Sequence, residues 1–252
     1  MPYKHGQALI DNSLPFRLAS ALTFYPVFSI AHIVNIIQYS TSYENRDKLL
    51  RHRRAILICN HTTFLDPVKM GGAVWPRRVY QTMLEATVEF PVLGTFIRLL
   101  GGVPIPRGGN SLAMLQAAAS TAFRFRRYLL FYPEGECYLY NQKIRKFRPG
   151  AFYLSAHLDI PVIPMVTVFS GGKYKPYSFF GRAFPREKLV VLDPVYPSGH
   201  IKREANGEIS TDSIRDYAQA VRSLMQAEID RRGGCSAFYR GRMDRIRGLN
   251  DK

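Results

Sequence analysis

The sequence predicts an α/β fold: a central, mostly parallel sheet flanked by helices, preceded by an N-terminal helical segment that associates with a membrane. Three observations predict it. Apolar runs of strand length alternate with stretches of helical periodicity, Gly- and Pro-containing connections separate them, and a long uncharged stretch precedes the first run. The 252 residues are enough for one sizeable core with an appendage. The divisions expected are residues 1–50 for the membrane-associated segment, 51–232 for the α/β domain and 233–252 for a basic tail.

The uncharged stretch runs from Leu18 to Tyr43 and carries Leu22, Phe24, Val27, Phe28, Ile30, Ile33, Val34, Ile36 and Ile37. It is long enough to cross a bilayer. Pro26 interrupts it, and His32, Asn35 and Gln38 dilute it, so a kinked or re-entrant pair of helices lying in one leaflet stands beside a span as an expectation. Arg46, Lys48, Arg51, Arg53 and Arg54 follow, as expected of a flank that meets anionic lipid headgroups.

The strand-like runs are Ala55–Cys59, Val79–Met83, Val103–Ile105, Tyr128–Tyr132, Val162–Val168 and Leu189–Leu192. Between them Ser111–Arg124 has helical spacing, and Ser213–Ile229 sets Ile214, Tyr217, Ala218, Val221, Leu224, Met225 and Ile229 on one face. Surface connections are expected near Gly171–Pro176 and Pro194–Gly199. From Arg231 onward the chain is basic with little apolar periodicity, and reads as a docking helix or a partly disordered tail.

Net charge is +16, from 35 Lys and Arg against 19 Asp and Glu, which draws the surface to polyanions. Most aromatics sit inside apolar runs rather than among exposed basic residues, and no nucleic-acid motif is present, so nucleic acid is excluded as the expected partner. Cys59, Cys137 and Cys235 form no C-x-x-C pair, which fits a reduced, cytosol-facing setting without zinc or thiol redox chemistry. No cleavable signal peptide is evident, and no cluster has metal-ligand spacing.

The chemistry is expected in Asn60-His61-Thr62-Thr63-Phe64-Leu65-Asp66-Pro67, directly after the first strand of the domain, where α/β sheets place functional loops. Residues five apart on one helix are separated by roughly 140°. His61 and Asp66 therefore meet only across a turn, and Pro67 favours one, because it disfavours a helical Asp66 and suits the first position of a helix. A carboxylate holding one imidazole nitrogen fixes the tautomer and raises the basicity of the other, which can then take a proton from a hydroxyl.

This octapeptide resembles the N-H-x4-D block of the PlsC-like glycerolipid acyltransferases, the family of the 1-acylglycerol-3-phosphate acyltransferases. Three further blocks follow in that family's order: Gly101-Gly102-Val103-Pro104-Ile105-Pro106-Arg107, Tyr132-Pro133-Glu134-Gly135, and Ile160-Pro161-Val162-Ile163-Pro164. The resemblance implies an O-acyltransferase that moves a fatty acyl group from acyl-CoA or acyl carrier protein to the hydroxyl of a lysophosphatidic acid or related lysolipid. It implies direct attack with His61 as general base and Asp66 as orienter, without cofactor or metal. Arg107 would bind the acceptor's phosphate, and Asn60, Glu134 and Gly135 would shape the acceptor pocket. The localisation implied is the cytoplasmic face of a membrane.

The third block departs from the family's F-P-E-G-T-R, because Glu136-Cys137 stands where Thr-Arg is usual. A cation has been lost, and Lys146 or Arg148 from the basic run Lys143, Arg145, Lys146, Arg148 could supply it. The departure also admits a zwitterionic lysophospholipid, an aminolipid or a glycolipid as acceptor, and a non-catalytic lipid-binding protein of this fold is the remaining alternative. Cys137 is expected to be structural, since direct transfer leaves it no role.

Overall fold

The computed structural model describes residues 3–106, 108–171, 184–204 and 206–244. Its centre is a seven-stranded sheet built from β1 (Ser42–Glu44), β2 (Ile56–Cys59), β3 (Val79–Leu84), β4 (Gly102–Ile105), β5 (Tyr128–Phe131), β6 (Val162–Ser170) and β7 (Arg186–Val191), in the spatial order β1-β7-β6-β2-β5-β3-β4. All neighbouring pairs are parallel except β6 with β7. The helices are α1 (Leu14–Tyr39), α2 (Arg46–Arg51), α3 (Asp66–Val74), α4 (Glu85–Glu89), α5 (Leu93–Leu99), α6 (Ser111–Arg124), α7 (Gly150–Leu158) and α8 (Thr211–Arg231).

Every residue of β2 and β5 is buried, as continuous apolar runs covered on both faces require. Alternation sends Ile56, Ile58, Leu129, Phe131, Val162 and Val166 to one face, against α6, α7 and α8. Leu57, Cys59, Leu130, Ile163 and Met165 point the other way, toward Met70, Ala73 and Val74 of α3. Because β2 and β5 are adjacent and parallel, the loops leaving their C-terminal ends emerge side by side. The α7 helix and the short strand β1 carry no strong periodicity and were not expected. β1 pairs with β7, and Tyr3, Leu9 and Ile10 are buried in the main core, so residues before 50 are built into the domain.

The N-terminal stretch is one helix, α1, with Pro26 inside it, rather than two. A proline in a helix interior removes a backbone hydrogen bond, but packing on either side holds the chain across it. Phe24 lies under the Arg78 guanidinium, 4.0 Å from its ring centre, and Phe28 stacks on Trp75. A side chain at Gly71 would collide with Phe28, so glycine in α3 is what lets α1 come this close. Ser20 Oγ donates to the Leu99 carbonyl at 2.6 Å, and at the far end the Tyr39 and Tyr140 hydroxyls are 3.1 Å apart. Helix α1 thus lies along the domain for most of its length. Its other face exposes Leu14, Leu18, Leu22, Ile30, Ile33, Val34 and Ile37.

After α8 the chain is neither helical tail nor loose end as far as residue 244. The Cys235 amide donates to the Phe169 carbonyl, a 3-10 turn spans Ser236–Phe238, and residues 240–243 run antiparallel to Cys137–Leu139 through Leu139 N to Gly241 O at 2.9 Å and Met243 N to Cys137 O at 2.9 Å. Backbone pairing rather than side-chain periodicity holds this segment, which is why no pattern announced it. Most of the Gly171–Pro176 connection expected from sequence lies outside the described residues.

Candidate active site

His61 and Asp66 meet as the turn requires. Strand β2 ends at Cys59, α3 begins at Asp66 with Pro67 in its first turn, and His61 Nδ1 lies 2.8 Å from Asp66 Oδ2. Asp66 is fully buried and accepts from both the amides and the hydroxyls of Thr62 and Thr63. The amides of Thr62 and Thr63 reach Oδ2 at 2.6 and 3.0 Å, the Thr63 hydroxyl reaches Oδ1 at 2.8 Å, and Lys69 Nζ reaches Oδ1 at 2.7 Å. Burial alone would raise the Asp66 carboxyl, but Lys69 and His61 overcome it and hold the group well below the usual carboxylate range. An ionised Asp66 only accepts hydrogen bonds, so His61 carries its proton on Nδ1 and leaves Nε2 free as an acceptor.

The imidazole also stacks on Tyr132, with ring centres 4.2 Å apart. The Tyr132 hydroxyl donates to Gln81 Oε1 at 3.0 Å, and Gln81 Nε2 donates to the Pro67 carbonyl at 2.8 Å, closing a ring of support around the turn. From the β5 loop, Glu134 accepts the backbone N–H of His61 at 3.1 Å and that of Arg145 at 2.9 Å. Burial pushes the Glu134 carboxyl up to about 7 against the pull of these two amides. The next residue, Gly135, has φ +74, and a Cβ there would lie 2.5 Å from Arg148 Nε. Glycine serves at this position on both counts: it takes the left-handed backbone and leaves room for the guanidinium.

A cavity of about 340 Å³ opens beside His61. Glu136 and Arg148 form a charged flank beside Gly135 and Cys137, Gln81, Thr82 and Thr87 add polar groups, and Met83, Leu84, Ile105, Leu115, Phe131 and Met243 make most of the remaining wall apolar. His61, Asp66, Glu134, Gly135 and Arg148 are therefore brought together. Asn60 is not on the cavity wall. It is buried, and its amide pairs with the backbone of Thr167, Oδ1 accepting at 2.8 Å and Nδ2 donating at 3.3 Å, so it extends the sheet beneath the turn instead of facing a substrate. Lys146 is exposed and does not line the cavity. Arg107 lies outside the described residues, two positions beyond Ile105, which does line it.

Sequence reasoning missed Lys69, Glu187, Gln81 and Met243. Lys69, three residues after Asp66 on a helix, was visible as an i, i+3 pair. Glu187 showed only as a glutamate at an inward position of an alternating strand, with the burial pattern of β7. Burial pushes the Cys59 thiol up to about 12 and the Cys137 thiol higher still, so neither presents a thiolate.

Comparison with known proteins places this arrangement. A family model described as Acyltransferase matches residues 40–168, slightly more than half of the chain. A putative 1-acyl-sn-glycerol-3-phosphate acyltransferase of Caenorhabditis elegans is 30% identical over 91% of this chain and 82% of its own. The 1-acyl-sn-glycerol-3-phosphate acyltransferase of Saccharomyces cerevisiae is 26% identical over 68% of this chain and 54% of its own. The crystal structure of PlsC, the 1-acyl-sn-glycerophosphate acyltransferase of Thermotoga maritima, superimposes with a TM-score of 0.54 at 17% identity, covering 88% of this chain and 81% of that one, which speaks to the fold. With the ordered sequence blocks, the parallel sheet and the family match in agreement, the chain belongs to the acyltransferase family and is a PlsC-like acyltransferase.

Proposed function

We propose that this acyltransferase moves a fatty acyl group from acyl-CoA or acyl carrier protein to the hydroxyl of a lysophosphatidic acid or a related lysolipid, with His61 as general base. The observation that carries the reading is the 2.8 Å bond from His61 Nδ1 to a fully buried Asp66, with the imidazole open to a cavity that is mostly apolar. In the proposed step, His61 Nε2 takes the proton of the acceptor hydroxyl as its oxygen attacks the thioester carbonyl. The tetrahedral intermediate then expels the thiolate, which recovers the proton from the imidazolium. Asp66 stabilises that imidazolium and holds the ring in one tautomer, and the Tyr132 ring face adds to its stabilisation.

The apolar wall of Met83, Leu84, Ile105, Leu115 and Phe131 suits an acyl chain, and Arg148 is the cation nearest to replacing the one the third block lacks. A guanidinium suits a phosphate because it is permanently charged and offers paired donors. Glu136 in the same wall supports a second reading, in which the acceptor is a lysolipid carrying a cationic or neutral headgroup.

The exposed face of α1 supports attachment within one leaflet. Because the opposite face is fastened to the domain from Ser20 to Tyr39, a helix of ~39 Å lies flat along the protein, and its apolar residues meet lipid without crossing the bilayer. Orientation toward the cytoplasm is the setting where an acyl-CoA or acyl carrier protein donor is present.

The test is reconstitution in lipid vesicles with labelled acyl-CoA or acyl carrier protein and a panel of lysolipids, read by mass spectrometry. Acylated product from an anionic lysolipid is expected. Product only from zwitterionic or cationic acceptors would move the assignment to the second reading, and no product above the protein-free control would remove both.

A further inference from the structure

Behind the dyad lies a chain of buried charges that the proposed mechanism does not yet use. Lys69 and Glu187 are both buried, and Lys69 Nζ bridges Asp66 Oδ1 at 2.7 Å and Glu187 Oε2 at 3.2 Å. The other oxygen of Glu187 accepts from Asn35 Nδ2 at 3.0 Å and from Thr41 Oγ1 at 2.6 Å. Asn35 belongs to α1 and Thr41 to the link between α1 and β1. The path thus runs without a gap from the catalytic turn through α3 and β7 to the apolar helix.

Its charge count is unusual for a buried site. Two carboxylates face one ammonium, and among the described residues an imidazolium at His61, bonded to Asp66, would balance the negative charge left over. Buried charges that are not balanced are costly, so the cluster as a whole favours the protonated state of His61 that the proposed transfer creates. Were Glu187 neutral, Asp66 and Lys69 would already cancel, and the imidazolium would lose that support. Both carboxylates hold Lys69 protonated in spite of its burial.

We propose that Glu187, held by Asn35 and Thr41 and acting through Lys69 and Asp66, is a positioning residue that sets the proton affinity of His61 and makes it depend on the docking of α1. The inference rests on His61 as the titrating base in the Proposed function but is tested separately from transfer. The other groups around the cluster are Glu134 beside His61, Tyr132 beneath it, Cys59 on β2, Cys137 in the cavity wall, Tyr39 and His32 on α1, Tyr43 on β1, and Arg46, whose guanidinium is committed to the carbonyls of Ala73 and Trp75. Of these only Glu134 is a charged group in direct contact with the catalytic turn, through the His61 amide.

The experiment is a titration by nuclear magnetic resonance of the His61 ring in 13C-histidine-labelled protein in detergent micelles, assigned with His61→Gln. It is carried out on the native chain, on Glu187→Gln and on Glu187→Asp, each also in a Glu134→Gln background to remove the nearest competing carboxyl. In Glu187→Gln the His61 midpoint is expected to fall by at least about half a pH unit. In Glu187→Asp, which keeps the charge, it is expected to stay within that margin. An unchanged midpoint in Glu187→Gln, or an equal fall in both variants, overturns the proposal even if acyl transfer is established. Should Glu187→Gln not fold, Asn35→Leu and Thr41→Val, which remove the donors that hold Glu187, carry the test: a His61 midpoint moved by at least about half a pH unit in either supports the proposal, and an unchanged midpoint in both overturns it.

Discussion

The β2–α3 turn and the β5 loop lie side by side along one cavity and are built in opposite ways. In the turn, Asp66 has no exposed surface and five protein donors besides His61, so the dyad is held by more bonds than it needs. In the β5 loop and the segment after it, Arg148 is exposed beside Gly135 on the cavity wall, and Lys146 is exposed off that wall. The contrast separates two demands. General-base chemistry needs one geometry held rigidly, whereas acceptor choice is set by a few solvent-facing charges that can change without disturbing the turn.

The largest effect that would sharpen this contrast is expected from Asp66→Ala. It should lower kcat by on the order of 10³-fold. It should also cost about 3 kcal/mol of stability, because Lys69 loses its closest anion. Steady-state transfer and thermal unfolding measure the two, and a fully active, equally stable variant would break the account of the turn.

Arg148→Ala should act on the other side alone. For an anionic lysolipid the acceptor KM is expected to rise about tenfold or more, as loss of a charged hydrogen bond implies, with kcat within about threefold and unfolding unchanged. The same KM rise with a neutral acceptor would contradict the assignment of Arg148 to a phosphate.

Glu134 joins the two regions and gives a pH signature. Its carboxyl is raised from 4.5 to about 7, so between those values the folded state holds a proton that the unfolded state has lost. The contribution to stability is therefore full below pH 4.5 and lost as the pH rises to about 7. The unfolding temperature of Glu134→Gln should lack this fall, which a pair of melting curves across the window would reveal.

The smallest effect is expected at Cys137. Burial keeps its thiol protonated, so Cys137→Ala should alter kcat by no more than about twofold. A large loss would argue for a covalent acyl-enzyme.

How much of this was legible in the sequence follows the same division. The strands of the parallel sheet showed because buried strands are continuous apolar runs, and Ser111–Arg124 appears as α6 within the same bounds because its periodicity is complete. The meeting of His61 with Asp66 was readable because Pro67 punctuates the turn. What stayed hidden depends on distant pairing. Asn60 carries the right residue type for a substrate contact, but its amide is used by Thr167, more than 100 positions away. Glu187 is 118 positions from Lys69, and Met243 reaches the cavity only because the terminal segment pairs with Cys137–Leu139. Pro26 reads as a break, yet α1 continues because Phe24 and Phe28 are packed against Arg78 and Trp75. Arg107, whose role the resemblance implies, lies outside the described residues.

The central claim is that His61 is the base, and the most direct measurement compares the native chain with His61→Ala in reconstituted vesicles, following thiol release from the acyl thioester together with acylated lysolipid. The account predicts a folded variant that binds donor and acceptor with kcat lower by on the order of 10³-fold at every pH from 6 to 9. Transfer within tenfold of the native rate, from a variant proven folded, would contradict it.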